Sequence, residues 1–231
     1  MTDGGRAIPP AAPAGSDARG DESRVDAAPP ALAALWATTL QAVANHVAHD
    51  FRNALNGVAV NLEVVRGRSA RGAEASTIAP FAATAAAQFE TASAAAEAML
   101  AFARAEPGDA DVSAIVVRLS RLVALRGASM LTVTDGASGR ARTSVPGEIV
   151  RTVVARSVLS ALGTGDSVAC EITVGDDIFL HVTGASHVPP PPDSELLAVA
   201  SDYGVRFASR GHTLEVRFPA AHARVTPHDS A

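Results

Sequence analysis

The chain of 231 residues contains no lysine; all 19 of its basic residues are arginine. They are scattered, 24 acidic residues outnumber them, and the formal net charge is −5. No basic stripe follows from this, so a nucleic-acid partner is not expected. Aromatics are only 4% of residues, with one Trp and one Tyr. A core must therefore be aliphatic. The single cysteine, Cys170, excludes an intrachain disulfide and sits in an apolar run as a core filler. No apolar run reaches the roughly 20 residues that a membrane helix needs, and the start of the chain lacks a signal-type apolar region. The expectation is a soluble, cytoplasmic protein with no membrane partner.

Hydrophobic residues are plentiful at 48%, and many are alanine. Alanine favours helix and close helix packing but fills little volume. Residues 1–29 are rich in Pro, Ala, Gly and Asp without any apolar period, which reads as a disordered tail. From about Ala31 to Gly67 the apolar residues Trp36, Leu40, Val43, Val47, Phe51, Ala54, Val58, Leu62 and Val65 step by three or four, giving one long helical stripe. Gly67, Ser69 and Gly72 break it. A second helix, almost all alanine, runs from about Glu74 to Arg104; Pro80 near its beginning predicts a start closer to Thr77 or Ile78. Two long helices with a short connection form an antiparallel hairpin. A hairpin with an apolar stripe on each helix cannot bury both alone, so a homodimer forming a four-helix bundle is expected.

After Pro107-Gly108-Asp109 the period changes. Helices are predicted over 112–126, 146–162 and 193–203, and strands over 130–134, 167–174, 178–183, 205–209 and 213–218. Gly175-Asp176-Asp177 and Arg210-Gly211-His212 supply hairpin turns. The predicted fold class is α+β. A helical hairpin over 30–106 precedes a two-layer α/β sandwich over 107–220, with a mostly antiparallel sheet and helices on one face. Residues 221–231 read as a tail.

On a wheel of about 100° per residue, the first helix carries a polar face opposite its stripe. His49 lies there with Asn45, Arg52, Asn53 and Asn56, and Asn53 is one turn beyond His49. Neutral imidazole is a nucleophile near neutral pH. One ring nitrogen attacks a phosphoryl group if the other keeps its proton and an acceptor holds it. Asp50 is placed to be that acceptor, and Asn53 to orient phosphoryl oxygens or a water. A solvated histidine on a polar face is the ordinary alternative. His46 falls at the edge of the stripe and reads as a boundary residue. His46-x-x-His49-Asp50 lacks the further ligands that a metal site needs, so no metal is expected.

The string His49-Asp50-Phe51-Arg52-Asn53-Ala54-Leu55-Asn56 resembles the H-box of sensor histidine kinases. Met99-Leu100-Ala101-Phe102-Ala103-Arg104 resembles the end of that family's second dimerisation helix. The resemblance implies that His49 is the phospho-acceptor, Asp50 its acidic partner and Asn53 the polar residue one turn on. Asn45, Arg52 and Asn56 would then meet the partner protein. Ala54 stands where the family has a proline. The resemblance also implies that the α/β domain has the Bergerat ATPase fold, in degenerate form. Ser160 occupies the place of the magnesium-holding asparagine, Thr183-Gly184-Ala185-Ser186 that of the adenine-reading aspartate motif, and Pro189 to Pro192 that of the phosphate lid. Asp176, Asp177 and Glu195 nearby read as turn and surface residues.

An intact H-box beside an eroded nucleotide site predicts a histidine phosphotransferase of a phosphorelay. It would exchange phosphate with receiver aspartates of response regulators and be fed by an upstream kinase, with no cofactor of its own. One alternative is a divergent active histidine kinase, which would need ATP and magnesium. Another is a non-catalytic dimeric scaffold, or a receiver phosphatase in which Asn53 orients water.

Overall fold

The structure, a computed structural model, describes residues 30–104, 109–124, 131–137, 141–163, 167–185 and 189–221. The stretch 1–29 and residues 222–231, both read as tail, lie outside the described residues, as do Met130 and residues 125 and 126 of predicted elements.

Helix α1 spans Pro30–Ser69 and α2 spans Ala75–Ala103. They pack antiparallel along their length. The chain reverses at Gly72, whose φ of 70° is cheap only for glycine. Arg68 ties the tip: its Nη1 donates to the Thr77 carbonyl at 3.0 Å, and its guanidinium lies 4.5 Å from the centre of the Phe81 ring. Contrary to expectation, α2 begins at Ala75, ahead of Pro80. The Thr77 hydroxyl donates to the Glu74 carbonyl at 2.8 Å at the helix start, and Pro80, the sixth residue of α2, forgoes one backbone hydrogen bond inside a helix that continues past it.

Beyond the hairpin come β1 (Ala110–Asp111), α3 (Val112–Val123), β2 (Leu131–Asp135), β3 (Arg142–Thr143), α4 (Gly147–Leu162), β4 (Val168–Val174), β5 (Asp177–Gly184), α5 (Ser194–Asp202), β6 (Arg206–Arg210) and β7 (Thr213–Pro219). Strands β2, β4, β5, β7 and β6 make one sheet in that order; β2 and β4 are parallel and the other neighbours antiparallel. The short strands β1 and β3 pair separately and were not foreseen. Two residues are too few for any alternation to register.

Alternation decides which sheet face is covered. Val168, Cys170 and Ile172, then Ile178, Leu180 and Val182, then Leu214, Val216 and Phe218 are all buried. Helices α3, α4 and α5 pack on the sheet on that side. Helix α4 is covered almost all round, because α1 packs on it from the far side. Its Arg151 is 2% exposed; Nη1 donates to the Arg104 carbonyl at 3.0 Å and the guanidinium lies 5.1 Å from the Trp36 ring centre. Trp36 meets Phe102 at 5.8 Å. The base of the hairpin and the α/β layer thus share one core.

The apolar side chains of α1 have two fates. Leu32, Leu35, Val43 and Val47 are buried, each contributing about 1.5–3 kcal/mol. Further along, Leu55 (41%), Val60 (63%) and Leu62 (53%) stay exposed. No helix among the described residues is long and apolar enough to cross a membrane.

Candidate functional site

His49 stands two residues beyond Val47, the last buried residue of α1. The α/β layer gives out along α1 at this level, so the ring emerges beside it. The His49 side chain is 68% exposed and that of Asp50 25%. Asn45, Arg52, Asn53 and Asn56 are exposed with it. Asn45, Arg52 and Asn56 make no side-chain hydrogen bond to a described residue, which leaves their amides and guanidinium facing solvent on one ridge.

His49 Nδ1 has two polar neighbours. Asp50 Oδ1 lies at 3.3 Å and Asn53 Nδ2 at 3.0 Å. The carboxylate accepts and the amide nitrogen donates, so the ring's proton chooses between them. With the proton on Nδ1, the ring donates to Asp50 and the lone pair is on Nε2, which has Asn53 Nδ2 3.5 Å away. With the proton on Nε2, Nδ1 accepts from Asn53. The first tautomer is a nucleophile with its charge acceptor already in place. Asn53 therefore sits against the ring, where the sequence reading had it reaching outward to phosphoryl oxygens or water.

The positions in the second domain that the resemblance would assign to a nucleotide make internal hydrogen bonds. The Ser160 hydroxyl donates to the Ser157 carbonyl at 3.0 Å. The hydroxyls of Thr183 and Thr213 bond across the sheet at 2.8 Å. The Ala185 N–H donates to the Ser167 carbonyl at 3.1 Å. A recess of about 190 Å³ lies here, lined by Thr132, Ser167, Val168, Ala169, Thr183, Gly184 and Ala185. It is smaller than the roughly 300 Å³ at which small-molecule sites begin, and among the described residues no charged side chain lines it. Residues 186–188 lie outside the described residues. Asp176 and Glu195 are exposed, and Asp177 pairs with Arg217, whose Nε donates at 2.6 Å. No group of three His, Cys, Asp or Glu among the described residues could hold a metal ion.

Sequence reasoning missed Thr38, Thr39 and Arg156. Arg156 Nε donates to Thr39 Oγ1 at 2.9 Å and its Nη2 to Thr38 Oγ1 at 2.6 Å. Only the wheel position of Thr38, on the His49 face, hinted at it.

No family model matches this sequence, and no curated protein matches it. Among solved structures, a bacterial phosphotransferase aligns with a TM-score of 0.44 at 15% identity, over 86% of this chain and 98% of that one. A blue-light activated histidine kinase of Erythrobacter litoralis aligns with a TM-score of 0.39 at 14% identity, over 70% of this chain and 63% of that one. Overlaps this coarse carry no functional weight; the residues and their geometry do.

Proposed function

We propose that the protein is a histidine phosphotransferase of a phosphorelay, with His49 as the phosphate carrier. The observation that carries this reading is the His49–Asp50 pair at 3.3 Å, with the ring 68% exposed on a rigid helix. A receiver domain brings an aspartyl phosphate to the ridge. Nε2 attacks phosphorus, the P–O bond to the aspartate breaks, and a P–Nε2 bond forms. The aspartate leaves as a carboxylate. The positive charge that develops on the ring is carried at Nδ1–H, where Asp50 offsets it. The reverse sequence passes the phosphoryl group to a second receiver. Asn45, Arg52 and Asn56 surround the ring as contact residues for that receiver.

The protein acts without a nucleotide. Positioning and charge neutralisation are most of phosphoryl-transfer catalysis, and the described residues that line the recess by Thr183 carry no charge for it. It acts as a homodimer. Ala82, Ala86, Phe89, Ala96 and Leu100 form an exposed stripe at helical spacing on α2, with Phe89 58% and Leu100 68% exposed. A second copy of the hairpin covers it by completing a four-helix bundle.

Acid-labile labelling tests the reading. ATP alone is expected to give no label. ATP with an active kinase and its receiver is expected to label the wild type and not His49→Gln. Label from ATP alone would make the protein a kinase, and label surviving in His49→Gln would remove His49 from the account.

A further inference from the structure

Asn53 follows His49 by four residues, and a helical side chain leans back over the turn that precedes it. Its amide nitrogen therefore comes to rest against the His49 ring, 3.0 Å from Nδ1 and 3.5 Å from Nε2. A donor beside both nitrogens meets the ring's lone pair in either tautomer, but not equally. The 3.0 Å contact has the length of a made hydrogen bond, whereas 3.5 Å lies past the usual range of about 2.7–3.2 Å for an N–H donor. The competing contact to Asp50, at 3.3 Å, is longer than the roughly 2.7–2.9 Å of a charge-assisted bond. At rest the geometry thus favours the proton on Nε2, with Nδ1 held by Asn53. In that tautomer Nε2 has no in-plane lone pair with which to attack phosphorus.

We propose that Asn53 is a guard on His49: it holds the resting ring in the unreactive tautomer, so that the carrier takes phosphate from a docked receiver in preference to a small phosphoryl donor. The inference deepens the phosphotransferase reading and rests on it for the identity of the docked donor. Release needs two moves. The Asn53 amide turns to another acceptor, and the ring proton passes through solvent from Nε2 to Nδ1, where Asp50 accepts the hydrogen bond. Asn53 is exposed on the ridge that Asn45, Arg52 and Asn56 share. A receiver seated there covers the amide and supplies carbonyl oxygens for it. Its binding energy offsets the loss of one hydrogen bond, whereas a small donor brings no such energy.

The test uses the full chain and two variants that suit a helix interior. Asn53→Ala removes the donor and its bulk; Asn53→Leu removes the donor and keeps the bulk. Two quantities are read at about pH 8, where free imidazole is neutral. One is the His49 tautomer ratio, from the ¹⁵N NMR shifts of the ring nitrogens. The other is the rate of His49 phosphorylation by phosphoramidate, a donor that needs no docking, beside transfer from a phosphorylated receiver. Both variants are expected to raise the ratio of Nδ1–H to Nε2–H about fivefold, the scale of one hydrogen bond, and the phosphoramidate rate about threefold. Transfer from the receiver should stay within about twofold of wild type. An unchanged tautomer ratio would overturn the inference, as would a phosphoramidate rate that stays level or falls. So would a gain in Asn53→Ala alone, since bulk and not the donor would then be the obstacle. A wild type that no phosphorylated receiver labels, beside variants that still gain in ratio and phosphoramidate rate, would sink the phosphotransferase reading and leave the hold on the ring standing.

Discussion

At the scale of single residues, the account turns on which nitrogen of His49 holds the proton. Asp50 favours Nδ1–H, and Asn53 favours the other tautomer. Replacing Asp50 by Ala should slow phosphorylation by phosphoramidate about 100-fold, because the nucleophilic tautomer and the ring's charge both lose their partner. Asp50→Asn, which keeps an acceptor oxygen but no charge, should fall between. The measurement is the labelling rate at a fixed pH near 7. Cys170 gives a second prediction. Burial pushes its thiol from 9.0 up to about 12. A thiol held protonated in the fold stabilises fully below pH 9, and that contribution is lost as pH rises from 9 towards 12. Urea unfolding should therefore show stability falling above pH 9, less so in Cys170→Ala, and iodoacetamide should modify Cys170 only in denaturant. Both residues were legible in the sequence: Cys170 from its apolar neighbours, His49 from its place opposite the stripe. The Asn53 contact was not, because a wheel gives direction and not rotamer.

At the scale of elements, α1 and α2 show what periodicity reveals and what it conceals. The α1 stripe of Trp36 through Val65 contrasts with a polar face, so its direction could be read. Half of helix α2 is alanine, 14 of its 29 residues. Ala85, Ala92 and Ala95 are buried while Ala82, Ala86 and Ala96 are exposed, and no composition distinguishes them. Only Phe89 and Leu100 mark the uncovered side. Phe89→Glu should therefore convert the proposed dimer to monomer, seen as a halved mass in light scattering, while helix content by circular dichroism is preserved. A wild-type chain that is monomeric at micromolar concentration would contradict the bundle. The joint of α4 with the hairpin was invisible for a different reason. Arg151 meets Arg104 and Trp36, and Arg156 meets Thr38 and Thr39, across distances in sequence that local patterns do not span.

At the scale of the whole molecule, the hairpin stands on the α/β layer through one continuous core, and His49 emerges where that core ends. The long strands of the main sheet were displayed by the sequence, whereas their order, with its parallel edge pair, rests on long-range pairings that local patterns do not specify, and the two-residue strands β1 and β3 carry no signal at all. The place of His49 at the edge of the layer suits the proposed exchange of phosphate with other proteins. The central claim is that His49 Nε2 bears the phosphoryl group. The most direct measurement is mass-spectrometric and ³¹P NMR analysis of the full chain after incubation with a phosphorylated receiver. One phosphoryl group per chain is expected, on His49, as the Nε2 isomer. A phosphoryl group on any other residue, on Nδ1, or on none would contradict it.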